Sequence, residues 1–260
     1  MNITLGGARV LVTRPAHQAG PLVQKIEQAG GVPVPLPAIE IVDPSDPLPL
    51  QQALAALPHA SYAIFVSRNA VEHGLPRLRA HGWPPTLRFA AVGATTARAL
   101  QAGGIQEVLA PTERFDSEAL LALLPPETVR GRTVLLFRGE GGRGLLAETL
   151  ADRGAQVVHA VCYRRIRPAH PDPVALAQLE RGAIDVVIAT SNEALENLLA
   201  LAGETGRERL LSTPLVVVSE RTREAGRALG FHAAVQVAAR ADDDALLAAL
   251  GAWRAAQKNL

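Results

Sequence analysis

The chain has two tyrosines, and one of them, Tyr163, stands where a phenol could move a proton. Cys162 precedes it, and Arg164 and Arg165 follow. A tyrosine in an extended segment is ordinarily half-buried packing. At the border of a ligand site its hydroxyl would be a proton donor, and neighbouring arginines would ease the transfer by favouring the phenolate. A second group consists of Thr13-Arg14, Ser67-Arg68-Asn69, Gly93 to Thr96, Arg138-Gly139, Thr190-Ser191-Asn192 and Ser219 to Thr222. Each follows an apolar run and precedes a helical pattern, the place where unpaired backbone N–H groups and the positive end of the helix dipole favour an anion. Taken singly, each hydroxyl or amide reads as an ordinary N-cap. Taken together, in both halves of the chain, they read as two rows of donors for a ligand carrying several separated negative charges.

One sharper motif competes. Gly139-Glu140-Gly141-Gly142-Arg143-Gly144 follows an apolar run and matches the G-x-G-x-x-G pattern of dinucleotide sites. Arg164 and Arg165 would then accommodate a 2′-phosphate. The corresponding stretch of the first half, Arg14-Pro15-Ala16-His17-Gln18, has no glycine, so the glycines read as a flexible loop that lets backbone approach a ligand. No nucleophile elbow or Walker loop occurs. The seven histidines are scattered singly without metal-ligand spacing, and Asp242-Asp243-Asp244 reads as the acidic start of a helix.

The elements that must position these residues come in two copies. Val134 falls on Val10, Arg138 on Arg14, Gly154 on Gly30, Val158 on Val34, Pro168 on Pro44 and Ser191 on Ser67, always 124 residues apart. Thr222 falls on Thr96, and the DDDALLAAL stretch from Asp242 on DSEALLALL from Asp116, 126 residues apart. Such a period is too long for a solenoid and marks a duplicated half, so two similar lobes with a cleft between them are expected. Within each copy, short β-branched runs alternate with amphipathic helices: strands at 9–13, 62–66, 88–92, 108–110, 185–189, 215–218 and 234–237, with helices between them. That alternation means parallel α/β sheets. Pro33, Pro35 and Pro37 restrict the segment 32–36 to a sheet edge or a departure from the sheet. Residues 38–42 and 160–167, each closing near a matched proline, read as a pair of connectors.

Composition sets the outer limits. With 48% hydrophobic residues in 260, and 26 basic against 25 acidic side chains, the chain has core enough for two domains and no charge bias toward nucleic acid or membrane surfaces. Nearly all its basic residues are arginines, a bias that a GC-rich genome would also produce. A single cysteine and no apolar run of membrane-spanning length fit a soluble, cytoplasmic protein.

The ordered set VLVTRP, FVSRNAVE, AVGATTARAL, VLLFRGEGGR, the Tyr163 segment, ATSNEALENL and VVVSERTREAG resembles uroporphyrinogen-III synthase over nearly the whole chain. The resemblance implies a cofactor-free enzyme of tetrapyrrole and heme biosynthesis. Such an enzyme closes the linear tetrapyrrole hydroxymethylbilane into uroporphyrinogen III, inverting the last pyrrole ring and losing water. Its substrate carries eight carboxylates, which suits rows of helix N-termini. It further implies a flavodoxin- or Rossmann-like lobe of 1–37 with 168–260, a continuous lobe of 44–160, and an antiparallel pair of connector strands, 38–43 and 161–167. A monomer is implied, with transient handover from hydroxymethylbilane synthase.

Site roles carried by the resemblance are Tyr163 as proton donor to the departing hydroxyl and Ser67, Thr96, Ser191 and Thr222 as cleft-facing hydroxyls; the strand-end reading adds Thr13, Arg14, Arg68, Arg138, Gly139, Asn192 and Ser219 as substrate contacts. Where relatives often have proline after the strand-end serine, this chain has Arg68 and Asn192. Water loss assisted by Tyr163 would give an azafulvene cation, which closes through a spiro intermediate. Two rival readings stand beside this one: a two-lobed binding or sensor protein without chemistry, and an NADP-dependent reductase built on the glycine loop at 139–144.

Overall fold

The computed structural model describes residues 3–112, 116–142 and 144–257; Arg143 of the glycine motif lies outside the described residues. The chain opens with β1 (Arg9–Val12), α1 (Ala16–Gln28), β2 (Val32–Pro35) and β3 (Glu40–Val42). Next come α2 (Leu48–Ala56), β4 (Ala60–Phe65), α3 (Arg68–His81), β5 (Arg88–Ala91), α4 (Ala94–Ala102) and β6 (Val108–Leu109). Two short helices, α5 (Ser117–Ala122) and α6 (Pro126–Val129), precede β7 (Thr133–Gly139), α7 (Leu145–Asp152) and the long β8 (Gln156–Ile166). The remainder is α8 (Pro173–Glu180), β9 (Val186–Ala189), α9 (Asn192–Leu201), α10 (Gly203–Leu211), β10 (Leu215–Val217), α11 (Glu220–Ala228), β11 (Val235–Val237) and α12 (Asp243–Gln257).

Contacts divide the chain into two compact units: residues up to Glu40 together with those from Ile166 onward, and Ile41–Arg165 between them. The first unit holds a five-stranded sheet in the order β11-β10-β9-β1-β2, every pair parallel. The second holds a six-stranded sheet in the order β3-β8-β7-β4-β5-β6, parallel from β8 to β6. Under the internal offset, β7, β8, β4, β5 and β6 are the counterparts of β1, β2, β9, β10 and β11, and the two orders coincide. Glycines mark the same register. Gly30 and Gly154, 124 residues apart, have φ of 71° and 84°, and each follows the end of its helix, α1 or α7. Helices commonly end on a left-handed residue, which favours glycine because no β-carbon is there to clash.

Burial explains the strand composition. In the second unit Ala63, Phe65, Leu135 and Phe137 pack on one face, while Tyr62, Ile64, Val134 and Leu136 pack on the other. A sheet covered on both faces needs unbroken apolar strands, as β4 and β7 have. Phe65 stacks on Phe137 with ring centroids 4.5 Å apart. In the first unit Val10, Val12, Val186, Ile188 and Val216 form one such face with Leu22 and Ile26 of α1 and Leu246, Leu250 and Trp253 of α12. β2 lies at its sheet's edge, where Pro33 and Pro35 cost few ladder bonds.

Several expectations change. Residues 94–96 do not precede their helix but lie within it: α4 begins at Ala94, with Gly93 as its N-cap. The segment 160–167 does not start a strand of its own, because β8 runs unbroken from Gln156 to Ile166. α6, α8 and α10 have no counterpart in the expected elements. They are four to nine residues long, and so short an apolar pattern gives little periodicity to read.

Candidate active site

In a parallel sheet all strands end on one side, and the loops leaving those ends carry the ligand-facing groups. In the second unit that edge bears Ser67 after β4, Gly93 after β5, Arg138 and Gly139 at the end of β7, and Tyr163 within β8. Three serines close their helices alike. Ser67 Oγ accepts the Ala70 N–H at 3.1 Å, Ser191 Oγ the Ala194 N–H at 3.1 Å, and Ser219 Oγ the Thr222 N–H at 3.2 Å. A cap of this kind satisfies one of the four N–H groups that the first turn of a helix leaves unpaired. Gly93 holds the same extended conformation at the start of α4 without a side chain to cap it.

Tyr163 is 4% exposed, and a β-bulge aims it. Along the β7–β8 ladder Arg138 stands opposite Val161, but Gly139 stands opposite Tyr163, so Cys162 is an extra residue. A bulge breaks the two-residue alternation of side chains, and Cys162 and Tyr163 accordingly join the same core face. The Cys162 thiol points at the Arg138 carbonyl oxygen, 3.4 Å away, and burial pushes its pKa up to about 12. Beyond the bulge the ladder resumes, with the Glu140 N–H donating to the Tyr163 carbonyl at 2.9 Å. The phenol itself has a defined partner: Tyr163 Oη lies 3.0 Å from Ser67 Oγ. The His73 ring of α3 is tilted against the tyrosine ring with centroids 6.0 Å apart.

Of the two arginines expected to serve Tyr163, Arg164 has its contact elsewhere. Arg164 turns to the other side of the strand, and its Nε donates to the Asp43 carbonyl at 3.3 Å, as strand alternation requires. Gly139 belongs to β7 rather than to a loop, and a β-carbon there would lie 2.7 Å from Tyr163 Cζ. Its missing side chain is the seat of the tyrosine ring. The left-handed backbone lies beyond it, at Gly141 and Gly142, with φ of 70° and 86°.

Other residues singled out in the sequence sit as follows. Thr13 is 1% exposed and stands ahead of the helix start, since α1 begins at Ala16 after Pro15; its Oγ1 donates to the Ile188 carbonyl at 2.8 Å. Arg14 is ion-paired with Asp243 at the start of α12. Arg68 opens α3 and pairs with Glu72 one turn on, at 2.6 Å. Thr96 is buried in the first turn of α4 and Thr222 in that of α11, where its hydroxyl meets Ser219 Oγ at 2.9 Å. Asn192 opens α9. Arg138 donates from Nη2 to the Gly141 carbonyl and from Nε to that of Gly139, bracing the glycine loop from within.

One contact had no signal in the sequence: the Glu140 carboxylate accepts both the hydroxyl of Ser45, at 2.7 Å, and its backbone N–H. These two bonds, the hydroxyl first, hold the Glu140 carboxyl below the usual carboxylate range. Among the described residues no cluster of His, Cys, Asp or Glu could hold a metal ion, and no helix is long and apolar enough to cross a membrane.

These features define an α/β protein of two sheet-bearing units, with capped helix starts at the strand ends and a bulge-aimed tyrosine on one of them. A family model described as uroporphyrinogen-III synthase HemD matches residues 20–248. The uroporphyrinogen-III synthase of Salmonella typhimurium is 36% identical over 244 residues, spanning 93% of this chain and 99% of that protein. That of Escherichia coli is 36% identical over 245 residues, with the same coverage, 93% and 99%. A crystal structure of a mutant uroporphyrinogen III synthase from Thermus thermophilus shares the fold, with a TM-score of 0.61 at 22% identity over 98% of this chain and 100% of that one. The chain belongs to the uroporphyrinogen-III synthase family.

Proposed function

We propose that this protein cyclises hydroxymethylbilane to uroporphyrinogen III with loss of water, and that Tyr163 is the proton donor. The observation that carries the activity is the 36% identity over 93% of the chain to proteins named for this reaction. The role of Tyr163 is supported by its place at the strand ends, by a ring held on Gly139 and by a hydroxyl held by Ser67. In the first step the C–O bond of the substrate's hydroxymethyl group breaks as the phenol's proton completes the departing water, leaving an azafulvene cation. Attack at the substituted carbon of the last ring gives a spiro intermediate, which fragments and recloses with that ring inverted. The unassisted cation closes to the symmetrical isomer, so the protein contributes chiefly orientation.

The substrate's carboxylates would be taken by the helix starts at Ser67 and Arg68, Gly93 to Thr96, Ser191 and Asn192, and Ser219 to Thr222, with Arg138 and Gly139 at the end of β7. The dipole's positive end and the amides left over by a cap favour anions there. Thr13 and Arg14 would act from the end of β1, Arg14 in competition with Asp243. We read the units as duplicated lobes, a reading supported by the order that their five matching strands share, with 38–43 and 161–167 as connecting strands; β3 is an extra strand beside β8 in the second sheet. The working form is a cytoplasmic monomer that receives substrate by transient handover from hydroxymethylbilane synthase.

The decisive experiment supplies hydroxymethylbilane and separates isomers I and III by chromatography. Isomer III is expected. Isomer I alone would favour a binding protein, and enhanced NADPH fluorescence would favour the reductase.

A further inference from the structure

Ser67 and Ser191 hold equivalent places 124 residues apart and cap their helices with the same bond, 3.1 Å to the third amide of the helix. Their surroundings differ. Ser67 Oγ lies 3.0 Å from Tyr163 Oη, whereas the residue 124 positions before Tyr163 is Ile39, which carries no hydroxyl. Resting on the reading of Tyr163 as proton donor, we propose that Ser67 is its positioning residue. The serine hydroxyl donates to Tyr163 Oη, so the phenol keeps its own proton for the substrate.

Either oxygen could donate, and what the serine oxygen already accepts favours the proposed polarity. A serine hydroxyl has one proton and two lone pairs. One lone pair takes the Ala70 N–H, a donor at the positive end of α3, and accepting that bond makes the O–H a stronger donor in turn. Among the described residues, Tyr163 Oη is the acceptor that this hydroxyl reaches. When the Tyr163 O–H bond breaks and its proton leaves in water, the electron pair stays on the phenolate oxygen. The Ser67 O–H, backed by the helix, already points at that charge before it forms. At reclosure the unsubstituted α-carbon of the last ring attacks and loses its hydrogen as a proton when the ring regains aromaticity, and the phenolate takes up a proton to complete the cycle.

The test compares wild type with Y163F, S67A, S67T, S191A and the Y163F/S67A double variant, with kcat and KM for hydroxymethylbilane measured separately and thermal midpoints alongside. Y163F is expected to lower kcat about a hundred-fold, the scale of general acid catalysis. S67A should lower kcat about ten-fold, the scale of one hydrogen bond, with KM nearly constant. S67T should restore most of that loss, and S67A should add little once Tyr163 is phenylalanine. S191A reports the cost of losing the same cap, and the kcat loss in S67A must exceed it. The inference is overturned if the S67A loss multiplies in full with that of Y163F, matches that of S191A, or falls on KM instead. Wild-type turnover in Y163F would overturn the prior reading of Tyr163 itself.

Discussion

The ring of Tyr163 rests on the α-carbon of Gly139, where an added β-carbon would meet Cζ at 2.7 Å, Cε2 at 2.8 Å and Cε1 at 3.1 Å. Both residues are ladder partners across β7 and β8, so neither can give way without moving a strand. Gly139→Ala should therefore displace the ring, lower kcat about ten-fold or more by misplacing the phenol, and destabilise the fold by about 1–3 kcal/mol through overpacking. In a Tyr163→Ala background the same change should cost much less, which thermal unfolding of the four proteins would read. Equal costs in both backgrounds would show that the glycine serves something other than the ring.

Cys162 gives a pH-dependent signature. Its thiol is pushed up to about 12 by burial, above the unfolded value, so its contribution to stability is complete below about pH 9 and is lost as pH rises toward 12. The unfolded chain releases a proton there that the folded one retains, giving a slope of at most about 1.4 kcal/mol per pH unit. Cys162→Ala should flatten the alkaline limb of the stability curve by that one proton. In the folded wild type at pH 8 the thiol should resist alkylation until denaturant is added; rapid labelling of native protein would contradict the burial argument.

The Glu140–Ser45 contact should respond to acid. Because hydrogen bonds from Ser45 depress the Glu140 carboxyl, the contact is intact above the ordinary carboxylate range and is lost as pH falls through the depressed value. Amide exchange measured by NMR should show Ser45 protected near neutral pH and progressively unprotected as pH falls below the ordinary carboxylate range. In Glu140→Ala that protection should be missing at every pH. A Ser45 protection factor that ignores both acid and the substitution would exclude the carboxylate as its acceptor.

Arg14 and Asp243 join the end of β1 to the start of α12, and both side chains are mostly buried. Arg14→Ala and Asp243→Ala should each destabilise the protein, with a coupling of about 1 kcal/mol in a double-mutant cycle. If Arg14 also takes a substrate carboxylate, Arg14→Ala raises KM while Asp243→Ala, which removes the competitor, does not. A matched rise in both would assign the pair to folding alone.

The alternation of strands and helices was legible because burial on both faces demands apolar runs such as Tyr62 to Val66 and Val134 to Phe137. Helix starts were legible because capping is local: Ser67, Ser191 and Ser219 needed only their own backbone to declare themselves. The internal register, read from residues such as Gly30 and Gly154, required no contact at all. Thr96 and the glycine loop were harder. Thr96 sits inside a helix that begins after Gly93, a residue with no capping side chain to announce it, and Gly139 looks in sequence like any loop glycine.

By itself, then, the sequence determined the alternation of strands and helices, the internal repeat and the family, and it singled out Tyr163; all of these depend on neighbours along the chain or on a repeated pattern. Only the tertiary structure decided what Tyr163 touches. Its aim comes from one extra residue in β8, its seat from a glycine 24 positions earlier in β7 and its hydrogen bond from a serine 96 positions away. Such relations follow from how neighbouring strands are registered, and a one-residue shift in register leaves no local mark in composition or periodicity.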